Sequence, residues 1–290
     1  MSIHANVGME GAAPISESAG ASARKRSRKP STFWRVRDEI PRTLELALMG
    51  LSLSLPILVW TLVYVSGWVS EIVLPSPWAT AEAGYEMVVN GPIIGDAWVS
   101  AQRIYVAFGI SLAIAVPLGL AMGTFRSIRG LLEPVIGLVR YAPATAFTLL
   151  LVFWLGVGEE PKIALIVLGT IFFNTLMTAN VVWQVPTELI HVSRTLGAGS
   201  GSVFRKVIFP YAIPGVIDTA RVNLAAAWNL VVVAEIIAAD SGLGMRIVRE
   251  QRFLHLDNVF VCIAVIGILG VASDIGLRTL RNRLAPWSQE

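Results

Sequence analysis

Long apolar runs separated by short polar interruptions dominate this chain. The runs lie at about 44–69, 97–123, 131–156, 163–183, 216–239 and 259–280, each near the roughly 20 residues a helix needs to cross a hydrocarbon core of about 30 Å. Inside lipid every backbone amide must bond within its own segment. Stretches such as LIVLG and VVVAEIIAA lack the every-second-residue alternation of a barrel strand. The pattern predicts an all-α membrane protein with six transmembrane helices. Pro56, Pro117 and Pro143 fall inside runs and are candidate kinks.

One interruption, 186–214, is longer and more organised than the others. Pro186 and Thr187 form a helix start signal with Thr187 as N-cap, and ELIHVSRTL then reads as a short helix that Gly197 can end in a left-handed conformation. After the turn GAGSG, Ser202 can cap a second short helix, Val203 to Ile208, which is expected to stop before Pro210 because proline lacks the amide donor. Val203, Phe204, Val207 and Ile208 share one face, with Arg205 and Lys206 directed elsewhere. So short an amphipathic helix cannot hold itself folded in water. Its apolar face either lies against the ends of its own spans or docks in the groove of a partner.

Lys and Arg placement sets the expected orientation. Eight precede the first run. Arg126 and Arg129 follow the second, Arg194, Arg205 and Lys206 lie in the long interruption, and Arg278, Arg281 and Arg283 close the chain. A six-span threading puts all of these on one side. The other side carries Lys162 and the trio Arg246, Arg249 and Arg252, offset by Asp240, Glu250 and Asp257. Both termini and the 186–214 loop are therefore expected in the cytoplasm. Residues 1–43 read as a disordered basic tail, 70–96 as an extracytoplasmic loop containing the stiff turn LPSPWAT, and 282–290 as a short cytoplasmic tail.

Composition agrees, with 54% hydrophobic and 15% charged residues against roughly 25% charged in soluble domains. The single cysteine, Cys262, excludes a disulfide framework, and the scattered His4, His191 and His255 suggest no metal site. Charges inside the runs carry the remaining chemistry. Arg140 falls midway along the third run, Arg103 and Arg221 lie near run ends, and Glu235 lies toward the outer third of the fifth. An intramembrane charge faces either a cavity or a counter-charge. Arg140 either pairs with a carboxylate such as Glu235, or with Arg103 guides an anion. Snorkelling accounts for Arg221. Asn174 and Asn229 can line a path or join helices, and Gly119 with Gly123 reads as close helix packing.

The 186–214 loop resembles the cytoplasmic loop of the membrane subunits of type I ABC importers, a pattern of Glu-Ala-Ala, three residues, Gly, nine residues, Ile, any residue, Leu-Pro. Gly197 matches the glycine, Val207, Phe209 and Pro210 take the places of the last motif, and His191, Val192 and Ser193 replace Glu-Ala-Ala. LPSPWAT, RYAPATAFTLLLVFWLGVGEEPKIALI, ARVNLAAAWNLVVVAEIIAADSGLG and GILGVASDIGLRTLRNRLAPW are similar to the nitrate, sulfonate and taurine branch. The resemblance implies a MetI-like transmembrane domain over 97–281 in a bacterial inner membrane. It also implies a homodimer or paired permease lining one path, two ATP-binding subunits holding ATP and Mg, and an extracytoplasmic solute-binding protein. Coupling to the ATPase falls to Arg194, Gly197, Val203, Phe204, Val207 and Pro210. A possible substrate path, for a small anion, falls to Arg140, Arg103, Asn174, Asn229 and Glu235.

No GxxxxGK[ST] phosphate loop occurs in the chain, so the chain itself is expected to bind no cofactor and to be no enzyme. No nucleic acid is expected among its partners. An ion-coupled secondary transporter, or an ABC permease for another small solute such as a pyrimidine precursor, are the alternatives. A membrane enzyme would need converging acid, base or metal groups, and the candidates are dispersed.

Overall fold

A computed structural model describes residues 40–288; the tail expected over 1–43 lies outside them as far as residue 39. Every regular element among the described residues is helical. The first, α1 (Arg42–Val65), contains Pro56 and buries none of its residues. The chain divides within α1 into two compact units, the first ending at Leu55 and the second beginning at Pro56. The described part of the first holds only the opening turns of α1.

Residues 70–96, expected as a loop, hold a helix, α2 (Pro77–Val89), and the start of α3 (Ile93–Thr124). The prolines of LPSPWAT do not exclude helix here because Pro77 occupies the first turn, where its missing N–H costs nothing. Ser76 caps that turn by accepting from Ala79 N at 3.0 Å. The C-terminal half of α1 is tied to the same region, with Trp60 donating to Pro75 O and stacking on Phe260 at 5.2 Å.

The centre of the unit is α3 against α6 (Glu160–Trp183) and α9 (Phe209–Ala238), with α11 (Leu256–Leu284) outside α9. Glycines set the closest approach. A Cβ on Gly119 would sit 2.5 Å from the Thr178 side chain, and one on Gly123 2.4 Å from Val182, so both positions exist for backbone proximity. Higher on the same pair, Arg103 reaches Glu159. The numbering rises together along α3 and α6, which makes them parallel. Likewise Gly215 meets Val181, Asn223 meets Asn174 and Leu230 meets Gly169, so α9 is antiparallel to α6.

This register fixes the third crossing. Residues 103 to 123 of α3 rise about 30 Å, and α3 ends level with the C-terminal end of α6. The chain must therefore travel back that whole distance between Thr124 and Glu159. It does so as two helices bent by 76°, α4 (Arg126–Val139) and the stretch Ala144–Leu155, whose first turn is 3₁₀ and whose remainder is α5 (Thr148–Leu155). The straight third span expected from hydropathy is thus broken. Pro143 is the cause: its ring collides with the carbonyl four residues back, and it pushes Ala142 away from helical backbone. Among the described residues five unbroken helices are long and apolar enough to cross a membrane, and the bent pair, counted as one span, brings the crossings to six.

The second short helix of the 186–214 segment does not stop before Pro210 either. From Ser200 to Ile237 the backbone stays helical, through α8 (Ser200–Val203), a π turn over Phe204–Ile208 and then α9. Phe209 N–H bonds Phe204 O five residues back. The wider turn makes room for the proline ring without ending the helix. The core between these helices is apolar: Ala101, Ile104, Ala107 and Phe108 face Ile166, Ala220, Leu224, Ala227 and Val231.

Candidate functional site

Three places in the second unit carry organised chemistry, one at each end and one between. At the end shared by Thr124 and Trp183 lies α7 (Thr187–Thr195). Its N-cap is Pro186 and no side chain caps it; Thr187 is already helical. Its other end matches the expectation for Gly197, which has φ +81°. Gly197 N bonds Arg194 O at 2.9 Å and Ala198 N bonds Ser193 O at 3.0 Å, the paired bonds of a Schellman stop. Gly199, not Ser202, precedes α8.

Of the apolar face read from 203–208, Val203 and Ile208 are buried in a cluster with Leu120, Val182, Val185 and Ala212, and Phe204 packs on its edge. Val207 and Pro210 are half-buried. That face therefore lies against the chain's own spans. On α7 and its C-cap, Leu189, Val192 and Leu196 stay exposed, the last 82%, with Arg194 and Gly197 beside them; farther along the segment Phe209 and Tyr211 are exposed as well. The spacing of three and then four from Leu189 to Leu196 places those three along one side of the helix.

At the opposite end is a buried ion lock. Glu235 is fully buried and accepts from Ser100 Oγ at 2.7 Å, Arg103 Nη1 at 2.7 Å and Gly244 N at 2.8 Å. Arg103 also donates to Ser241 O and, through Nε and Nη2, grips both oxygens of Glu159 at 2.6 and 2.8 Å. Asp96 accepts from Gly242 N and pairs with Arg246, while Ser100 Oγ accepts from Leu243 N. The lock joins α3, the start of α6, the end of α9 and the start of α10 (Leu243–Arg252). Gly242, at φ +112°, leaves no room for a Cβ, which would lie 2.4 Å from Glu235 Oε1. Glu159 stands just before α6, and the Arg103 guanidinium bonded to it, helped by Lys162, holds its carboxyl down to about 2.

Glu235 therefore pairs with Arg103 rather than with Arg140, because Arg140 sits at the break of the third crossing, half the length of α6 away. Arg221 does not merely snorkel: it grips Asp274 at 2.8 and 2.9 Å and touches Asp218 at 3.2 Å. Asp96, Ser100, Glu159 and the turn glycines escaped sequence reading. The glycine pair of SGLG just after an intramembrane glutamate is the signal that could have found them.

Between the two ends lies a column of polar side chains and a cavity. Ser111, Thr170, Asn174 and Asn223 are buried and bonded to one another, Thr170 and Asn174 to Ser111 at 2.9 and 3.2 Å and Asn223 to Asn174 at 2.7 Å. Asn174 thus joins helices. The cavity, of about 580 Å³, opens at the break of the third crossing and is lined by Arg140, Tyr141, Thr145, Phe172, Asn229 and Leu230 among others. Arg140 is exposed, stacks on Tyr141 at 4.8 Å and donates to its hydroxyl. Among the described residues no carboxylate pairs with it.

Similarity to known proteins follows this architecture. Residues 115–286 match the family described as binding-protein-dependent transport system inner membrane component. The chain is 36% identical over 248 residues to a probable ABC transporter permease protein of Brucella abortus, covering 86% of this chain and 98% of that one. It is 34% identical over 262 residues to the taurine transport system permease protein TauC of Escherichia coli, covering 88% and 95%. A solved structure of the MetNI methionine ABC transporter, described as inward facing, shares the fold with a TM-score of 0.56 at 20% identity, over 68% of this chain and 96% of that one. With its six apolar crossings, its glycine-stopped loop and a family match over more than half its length, this chain belongs to the binding-protein-dependent inner membrane components, the permease subunits of ABC importers.

Proposed function

We propose that two copies of this chain line one path through the inner membrane, with both termini and the 186–214 segment in the cytoplasm. Each copy rests on one of two ATP-binding subunits, which hold ATP and Mg, and an extracytoplasmic binding protein delivers a small anion of the nitrate, sulfonate or taurine type. Relatives named for taurine and aliphatic sulfonate transport support the substrate type.

The observation that carries the coupling role is the exposed apolar side of α7 ending at Gly197. Among the described residues Leu189, Val192 and Leu196 stay exposed, and beyond the Gly197 hinge the helix that begins at Ser200 runs without a stop into α9. Val203 and Ile208 are the fixed side of this joint, packed on their own spans, so the moving contact falls to α7 and Arg194. A push on α7 reaches α9, and α9 carries both the cavity wall and Glu235. Inward-open and outward-open packings of the bundle are then biased by the ATPase through that contact.

The test is transport by the reconstituted complex. Proteoliposomes holding this chain, its ATPase and its binding protein should take up the anion only with internal or external ATP on the ATPase side. Uptake driven by an ion gradient without the ATPase would contradict the reading and favour a secondary transporter.

A further inference from the structure

The cavity at the break of the third crossing has a lining more selective than a general anion path requires. It sits against Leu168, Gly169 and Phe172 of α6, midway along that 24-residue helix, so it lies at mid-depth in the bundle. A Cβ at Gly169 would press on Leu230 at 2.4 Å, which shows how closely the walls approach there. Its wall is mostly apolar, and its one ionised group is Arg140. A guanidinium at that depth is costly to hold unless something compensates it. Arg103, Arg221 and Arg246 are compensated by carboxylates. Among the described residues Arg140 is given only the face and hydroxyl of Tyr141, which leaves most of its five donors open there.

We propose that this cavity is a transit site for an organic monoanion, with the anionic head on Arg140 and an apolar body against Phe172 and Leu230. The inference rests on the reading that an anion passes through this chain, and it narrows that anion's class. Thr145 and Asn229 add neutral hydrogen-bonding groups: Asn229 bonds Ala225 O of its own helix at 3.0 Å and keeps a second amide hydrogen for a ligand. Among the described residues no Asp or Glu lines the cavity, so an ammonium group on the same molecule finds no counter-charge there and its desolvation goes uncompensated. A small inorganic anion gains nothing from the apolar wall and exchanges a full hydration shell for one guanidinium. The volume of about 580 Å³ is within the usual range of ligand pockets, roughly 300–1,000 Å³. Alkane- or arenesulfonates and the matching carboxylates fit; zwitterions and nitrate do not.

The experiment titrates the full chain, assembled with its ATPase in lipid nanodiscs, with linear alkanesulfonates of increasing length. Affinity should rise about fourfold per added methylene, the value of burying one CH₂, until the cavity is filled. The alkanol of equal length should bind about ten- to a hundredfold more weakly, as should the sulfonate to Arg140→Gln, since each loses a charge-assisted hydrogen bond. Taurine and nitrate should bind no better than ethanesulfonate. A flat chain-length series, or alkanols that match sulfonates, would overturn the proposal and identify an apolar groove for lipid tails; both arms use the unaltered protein, so a misfolded variant cannot obscure them. If ATP-driven uptake by the same complex persists while these results fail, the transporter reading stands and only the transit site falls. If uptake itself is absent, the fault lies in the broader reading.

Discussion

Arg103 Nη1 and Glu235 Oε1 meet at 2.7 Å with the arginine 4% and the glutamate 0% exposed, and the backbone of the turn after α9 folds over the pair. A buried pair of this kind contributes little when intact but is costly to break on one side. Arg103→Ala should destabilise the folded chain by about 3–5 kcal/mol, because it leaves an uncompensated buried carboxylate. Arg103→Ala with Glu235→Gln should recover part of that loss. Thermal melting of the purified chain in detergent, followed for the single and double variants, checks the coupling.

Glu159 closes the same lock from the less buried side. Its ordinary value near 4.5 is drawn down to about 2, so its bond to Arg103 stabilises the fold fully above about pH 5 and is lost as the pH falls from there toward 2. The melting temperature of the wild type should exceed that of Glu159→Gln by a constant margin at neutral pH. The margin should shrink through the acid range, which paired melting curves at stepped pH will register.

Gly197 at φ +81° has open space where a Cβ would go, so the obstacle to substitution is backbone strain alone. Gly197→Val should leave membrane insertion and yield unchanged while reducing ATP-driven uptake severely, since a β-branched residue resists that conformation. Gly197→Asn, which tolerates left-handed backbone, should retain much of the activity. Uptake by matched amounts of inserted protein compares the two.

Gly123 is the opposite case. With a would-be Cβ 2.4 Å from Val182 and 2.8 Å from Ala179 O, Gly123→Val must force α3 and α6 apart, an overpacking cost of roughly 1–3 kcal/mol. Yield and melting temperature should fall together, while an extra methyl on exposed Gly130, where nothing lies within 4 Å, should change neither.

Crossing number and helix content were legible because lipid demands long apolar runs, and Gly197 was legible because a glycine after a short helix has few other uses. The break at Pro143 was visible only as a candidate kink. Whether a proline bends a helix or is absorbed, as at Pro210, depends on neighbours that hydropathy does not record. The partners of Arg103 were not legible at all, since Glu159 and Glu235 stand 56 and 132 residues away along the chain and no spacing rule links positions so far apart. The destination of the 203–208 face was open for the same reason. Periodicity defines a face, and only the fold says what covers it.

The most direct measurement of the coupling claim places a new thiol at Leu196→Cys and joins it with a short bifunctional reagent to the ATPase in the assembled complex. Cys262 is fully buried, so the reagent acts at the new site. The account predicts a cross-link between this chain and the ATPase, and arrest of ATP-driven uptake once it forms. Uptake that proceeds normally while position 196 never joins the ATPase would contradict it.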